Sequence, residues 1–265
     1  MVGSTKIPLI VASIILFAFL LSPILIVIPL SFSADQWLTF PPSAWSTRWY
    51  GEILGNAQIV DAFWTSLWLA SIVTALTLLL SVPAVYALKR LTIAGEATLL
   101  NFFTSPLLLP SIVLGLGILI VFAPANLLGT YTGLTLAHLV VTVPYAIRIL
   151  ATTFDTLNAN IEEAAASLGA NPVKVFALVT LPMLMPGLIA AGVLSFLSSF
   201  DEVVISLFLV GPRINTLPVA LFSYVESHSD PMGAAVSSLL IFLTLIVVVA
   251  LERLMGLTRA LGKQS

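Results

Sequence analysis

Cysteine is absent from all 265 residues, which excludes disulfides, thiolate metal sites and cysteine nucleophiles. Charge is nearly as scarce: only 8% of residues are Asp, Glu, Lys or Arg, against roughly a quarter in soluble domains, while 59% are hydrophobic. No stretch holds enough polar residues to clothe a soluble core, so the chain reads as an all-α integral membrane protein of spans and short connections. The net charge of −2 comes with no cluster of Lys and Arg, and nucleic-acid binding drops out. The histidines are His138 and His228 alone, with no His-Glu-x-x-His and no second His at ligand spacing, so zinc hydrolysis has no support. His138 reads as a hydrogen-bonded interior residue. No Gly-x-Ser-x-Gly elbow is present. The tail GLTRALGKQ fails as a phosphate loop, because five residues separate Gly256 from Gly262 and Gln264 stands where a Mg²⁺-ligating hydroxyl is required. The chain is therefore expected to carry no cofactor or metal and to catalyse nothing; any ATP is bound elsewhere.

What the sequence does have is long apolar runs. A span needs roughly 20 apolar residues to cross about 30 Å of hydrocarbon. Six windows qualify, near 7–30, 64–88, 99–122, 134–153, 181–210 and 233–251. The first is too long for the h-region of a cleaved signal peptide and reads as an uncleaved anchor. Positive residues stay on the cytoplasmic side. With the N-terminus inside, Lys6, Lys89, Arg90, Arg148, Lys174, Arg253, Arg259 and Lys263 fall on or near that side, and Arg48 and Arg213 fall outside. Both termini are then cytoplasmic. The outer loop after the first span carries Trp37, Trp45, Trp49 and Tyr50, as expected of aromatic anchors at an interface. In the third span, Gly115 and Gly117 with Ser111 permit close helix contact, either at a seam with another chain or within this one. Pro83, Pro106, Pro110 and Pro144 are expected to bend their helices.

One cytoplasmic stretch, EEAAASLGANPVKVFALVTLP at 162–182, breaks the apolar pattern. Its alanines favour helix, the glutamates suit the positive end of a helix dipole, and Asn160 is the expected N-cap. Gly169 is suited to a positive φ that ends the first helix, and Asn171-Pro172 starts a second. The spacing Glu163-Ala164-Ala165, three residues, Gly169, nine residues, Val179, one residue, Leu181-Pro182 resembles the EAA motif of ABC-importer permeases, with Val179 replacing Ile. The resemblance runs from about Asp61 to Arg253, and SFDEVVISLF from Ser199 to Phe208 resembles the second permease of spermidine/putrescine-type importers.

That resemblance implies a type I ABC importer permease of the bacterial inner membrane, with six transmembrane helices. It divides the chain into a first helix and outer loop (1–60), a permease core (61–253, with the EAA loop at about 154–181) and a cytoplasmic tail (254–265). It further implies two cytoplasmic ATPase subunits that bind ATP and Mg²⁺, a second permease that makes a heterodimer, and an extracytoplasmic solute-binding protein. The coupling residues would be Glu162, Glu163, Ala164, Ala165, Leu168, Gly169 and Pro172. The solute would be small and polar, a polyamine or related amino compound. A secondary transporter or channel is the alternative, but no internal repeat is visible and it does not explain the EAA spacing.

Asp201 and Glu202 fall inside the expected fifth span, where an unpaired charge costs a few kcal/mol and marks a pathway, a partner or a protein interior. Asp201 lies 19 residues beyond Pro182, which places it in the outer part of the membrane. Two readings stay open. Asp201, with Ser198, faces a translocation cavity; or Asp201 or Glu202 pairs with Arg213 or caps a helix break. Adjacent helical residues point about 100° apart, so both carboxylates are not expected to face one cavity equally. A short helix is expected at 216–226, with Leu217, Ala220, Leu221 and Tyr224 on one stripe.

Overall fold

The computed structural model describes residues 6–91 and 93–262. Lys263 lies outside them, as does the end of the expected tail. Helix dominates, and no strand occurs among the described residues. In hydrocarbon a helix satisfies its own backbone, which is why the apolar runs fold this way. The elements are α1 (Lys6–Ser31), α2 (Arg48–Gly55), α3 (Ala57–Arg90), α4 (Glu96–Thr104), α5 (Ser111–Phe122), α6 (Tyr131–Asp155), α7 (Ala159–Ser167), α8 (Pro172–Val175), α9 (Leu181–Phe200), α10 (Val204–Leu209), α11 (Leu217–Ser227) and α12 (Met232–Gly262).

Among the described residues five helices are long and apolar enough to cross a membrane, and a bent pair makes a sixth span when its two halves are taken together. Glu96–Leu108 and Ser111–Phe122 meet at 100°, so the third expected span is broken. The cause is local. Leu109 precedes Pro110 and is held extended (φ −89°, ψ 138°), the conformation that a following proline imposes. The fifth span differs too. α8 and α9 form one rod through a π-helical turn at Phe176–Thr180. Pro182 has no N–H to return to the carbonyl four residues earlier, which favours the wider turn just before it. The rod then ends at Phe200, not near 210, and α10 restarts at Val204.

Two compact units emerge: one holds the chain up to Val60 together with Leu221–Leu245, the other Asp61–Ala220 together with the chain from Ile246 onward. In the first, residues 9–21 of α1 are exposed, as suits a lipid-facing anchor. Its outer loop is organised by Asp35, whose carboxylate accepts hydrogen bonds from Ser43, Thr39 and Ser33. Those bonds, Ser43's foremost, hold the carboxyl well below the usual carboxylate range. Tyr224 donates to Asp230 at 2.7 Å and stacks on His228, with ring centroids 4.2 Å apart.

In the second unit α6 and α9 pack around Ile147, Leu150, Phe154, Leu184 and Ala191, with Val85 of α3. Lipid tails are as apolar as leucine, so close packing rather than burial must hold such helices together. Gly187 allows it: a Cβ there would sit 2.8 Å from Thr153 Cβ. A second cluster joins Leu69 and Val73 of α3, Ile118 of α5, Leu134 of α6, and Ile205 and Leu209 of α10. Gly115 belongs to this packing, since a Cβ would meet Phe208 Cδ2 at 2.6 Å, whereas Gly117 faces open space. The contact expected of Gly115 is thus made within the chain.

Candidate functional site

The polar stretch at 162–182 folds as two short helices around a fixed turn. Asn158, not Asn160, is the N-cap: its backbone is extended, and its side chain accepts the Asn160 N–H at 3.0 Å. α7 ends in a Schellman arrangement, with Gly169 N–H on Ala166 O at 2.9 Å and Ala170 N–H on Ala165 O at 3.2 Å. Gly169 takes φ +87°, as its sequence position suggested. Asn171 then caps α8 by accepting the Lys174 N–H at 2.9 Å, with Pro172 in the first turn.

The turn presents an apolar tip. Leu168 is 90% exposed and Val173 74%, and Glu163, Ala164, Gly169 and Pro172 are exposed beside them, with Ala165 half-buried. Glu162 behaves differently. Arg90 Nε at the end of α3 donates to its Oε2 at 2.6 Å, and Thr180 Oγ1 donates to its Oε1 at 2.8 Å. Nothing local in the sequence announced this pair, whose members lie 72 residues apart.

The second polar region lies where α9 stops. Glu202 Oε1 accepts the Ile205 N–H at 3.0 Å, so this carboxylate caps the break before α10. Arg213 makes no ion pair among the described residues; it stands exposed in the tight turn between Gly211 and Ile214. Pairing with Arg213 is therefore set aside in favour of the cap. Asp201 is exposed, has no side-chain partner among the described residues, and lines a cavity of about 330 Å³ with Ser198, Glu202, Ser111 and Tyr145. Ser199 turns the other way.

Behind the break sits His138, 1% exposed, with Nδ1 2.8 Å from Ser199 Oγ and Nε2 3.0 Å from Ser206 Oγ. One ring nitrogen donates and the other accepts, and the serine hydroxyls rotate to match. His138 thereby spans the gap between α9 and α10. Thr142 Oγ1 donates to His138 O at 3.0 Å and meets Thr77 Oγ1 of α3 at 2.7 Å. The interior role expected of His138 is the one it has.

Tyr145 also borders a larger cavity of about 680 Å³, lined by Arg148, Thr152, Thr156 and Gly187. Tyr145, Arg148 and Thr152 recur at helical spacing on α6, Thr156 follows at its C-cap, and together they make one polar face about 16 Å long. That periodicity was available in the sequence; Arg148 drew attention there only as a topological charge. Among the described residues no group of three His, Asp or Glu side chains is gathered to hold a metal ion.

Lipid-length helices, with a polar face and cavities along two of them, define a multi-pass membrane protein. Residues 84–257 match the family described as binding-protein-dependent transport system inner membrane component, and the chain belongs to it. It is a permease subunit of an ABC importer, a non-catalytic component of the inner membrane. It is 34% identical over 232 residues to the putrescine transport system permease protein PotI of Escherichia coli K12, covering 85% of this chain and 82% of that one. It is 32% identical over 247 residues to the putative 2-aminoethylphosphonate transport system permease protein PhnV of Salmonella typhimurium, covering 92% of each. Its fold is similar to that of a bacterial ABC transporter involved in alginate import, with a TM-score of 0.70 at 20% identity, over 97% of this chain and 98% of that one.

Proposed function

We propose that this permease conducts a small amino compound, a polyamine or an amine-bearing relative, along the α6 and α9 face. Asp201 meets the cation, Ser198 offers a hydroxyl beside it, and Glu202 frames the rim while capping α10. The observation that carries this reading is Asp201 itself, an exposed carboxylate opening on a cavity at the end of an apolar helix. A charge in that setting costs a few kcal/mol unless water or a cation compensates it. The relatives agree in chemistry, since putrescine and 2-aminoethylphosphonate both carry an amine.

The same reading assigns the turn between α7 and α8 to a partner ATPase. Leu168 and Val173 form an apolar knob, Ala164 and Ala165 let a partner approach closely, Gly169 and Pro172 fix the turn, and Glu163 supplies a charge at its edge. ATP and Mg²⁺ are bound and ATP is hydrolysed in that partner. A second, different permease completes the pathway, and an extracytoplasmic binding protein delivers the solute. The excess of Lys and Arg near the loop and at the chain ends favours a cytoplasmic loop and cytoplasmic termini. Closure of the ATPases moves the turn, and the two permeases rock to release the solute inward.

The test is uptake of labelled putrescine and 2-aminoethylphosphonate by proteoliposomes holding the complete transporter. Asp201→Asn should cut uptake of a transported amine about ten-fold or more, as loss of one charge-assisted hydrogen bond worth ~1.5–3 kcal/mol requires. Leu168→Asp should strip the ATPase from the purified permease. Unchanged amine uptake by Asp201→Asn would remove that carboxylate from the pathway, and an ATPase retained by Leu168→Asp would remove the knob from the contact.

A further inference from the structure

No residue of α7 is fully buried. A helix of nine residues is too short to hold itself in water, and its packing is mainly on α8 and the π-helical turn. Its firm side-chain attachment to the membrane helices is Glu162. Both carboxylate oxygens are used, on two different elements: Oε2 takes Arg90 Nε of α3 at 2.6 Å, and Oε1 takes Thr180 Oγ1, the last residue of the π-helical turn that leads into α9, at 2.8 Å. The Arg90 guanidinium carbon also sits 5.2 Å from the centre of the Phe154 ring on α6. Three elements therefore meet at one carboxylate, and a fourth, α6, meets its Arg90 partner.

Three features set this contact apart from an ordinary surface ion pair. The side chains are only 17% and 13% exposed, so solvent and salt screen the pair less than a pair in open water. Among the described residues Arg90 Nη2 is buried without an acceptor, and Glu162 is the one acid paired with that guanidinium. The neighbouring Lys89 binds Glu96 of α4 and Asp155 of α6, each at 2.8 Å, and so anchors the end of α3 to two other helices. A displacement of α7 must therefore drag Arg90 and Thr180 or break the pair.

We infer that Glu162, held between Arg90 and Thr180, is a positioning strut that carries motion of the α7–α8 turn into α3 and α9, separate from the exposed surface that meets the ATPase. This rests on the reading of the turn as an ATPase contact. The division of labour follows from helix geometry, because successive residues point about 100° apart: Glu162 turns inward and Glu163 outward.

The experiment uses the whole transporter, permeases with ATPases, in nanodiscs. Hydrogen exchange is followed in α7, the end of α3 and the π-helical turn, with and without ATP plus vanadate. In the native protein all three segments should respond. Glu162→Gln and Arg90→Gln should keep the native amount of bound ATPase and the response of α7, while the response of α3 and the π-helical turn falls about five-fold, within the reach of single residues on a coupling route. The exchanged pair, Glu162→Arg with Arg90→Glu, should restore that response to within about two-fold if the two charges act as a unit. Thr180→Val strands no charge and serves where Glu162→Gln accumulates poorly; it should weaken the response of the π-helical turn alone. An undiminished response in Glu162→Gln or, where that variant fails, in Thr180→Val overturns the strut, as does an exchanged pair no better than the single variants. Should α7 of the native transporter give no response to ATP and vanadate, the ATPase contact fails instead.

Discussion

Gly169 isolates the geometry of the turn from its surface. Its φ of +87° belongs to the left-handed region, and a Cβ added there would meet nothing within 4 Å. The cost of a side chain is then purely conformational. For alanine it is about 1–2 kcal/mol, the penalty an L-residue bears in that region. Asparagine tolerates the left-handed region better and should cost less. Proline cannot comply at all: its ring holds φ near −65°, and it removes the N–H that bonds Ala166 O at 2.9 Å. Since 1.4 kcal/mol is a factor of ten, alanine should lower the ratio of the observed turn to competing conformations by about five- to thirty-fold.

The core around Leu150 and Leu184 does not include Gly169, so these variants should insert and accumulate normally. The assay is uptake by vesicles at matched permease abundance, with the ATPase that copurifies as a readout independent of solute. Activity should fall in the order glycine, asparagine, alanine, proline, with Gly169→Pro inactive and depleted of ATPase. Gly169→Pro that keeps the ATPase and transports as well as Gly169→Asn would refute the argument that the left-handed turn shapes the contact.

Two further substitutions probe the interior. Gly187→Val should drive α6 and α9 apart, because a Cβ already falls 2.8 Å from Thr153 Cβ; overpacking of this kind costs about 1–3 kcal/mol, visible as a lower thermal midpoint that Thr153→Ala partly restores. His138→Phe should strand Ser199 and Ser206, at about 1–3 kcal/mol for each buried hydroxyl left unpaired, and loosen the gap between α9 and α10. His138→Gln, which keeps a donor and an acceptor, should recover much of the loss; equal thermal midpoints for the two variants would dismiss the clamp.

The turn was legible because its chemistry is local. Gly169, Asn171 and Pro172 each carry a conformational preference that no distant contact had to supply. The starting cap was misjudged by two residues because Asn158 and Asn160 are equally able caps, and where α6 ends at Asp155 decides between them. The break after Phe200 stayed only one of the open readings of Asp201 and Glu202, for the opposite reason. SFDEVVISLF is apolar enough to extend a span, and what stops the helix is Glu202 capping Ile205 and His138 reaching Ser199 and Ser206 across 61 and 68 residues. The prolines of the third span announced a bend, and Pro110 supplies it by holding Leu109 extended, a preference as local as those of the turn.

The acidic pair that opens the motif joins these two levels. A capped helix with no fully buried residue is fixed in shape but weakly fixed in place. Caps and the Schellman turn determine how Leu168 and Val173 are presented, yet they exert no hold on the spans. Glu162 supplies that hold through two oxygens and two elements, which local patterning could not reveal. If the exposed tip is the surface an ATPase grips, grip and transmission are separable in the sequence. Changes at Leu168 should release the partner, whereas changes at Glu162 should leave it bound and the membrane helices unmoved.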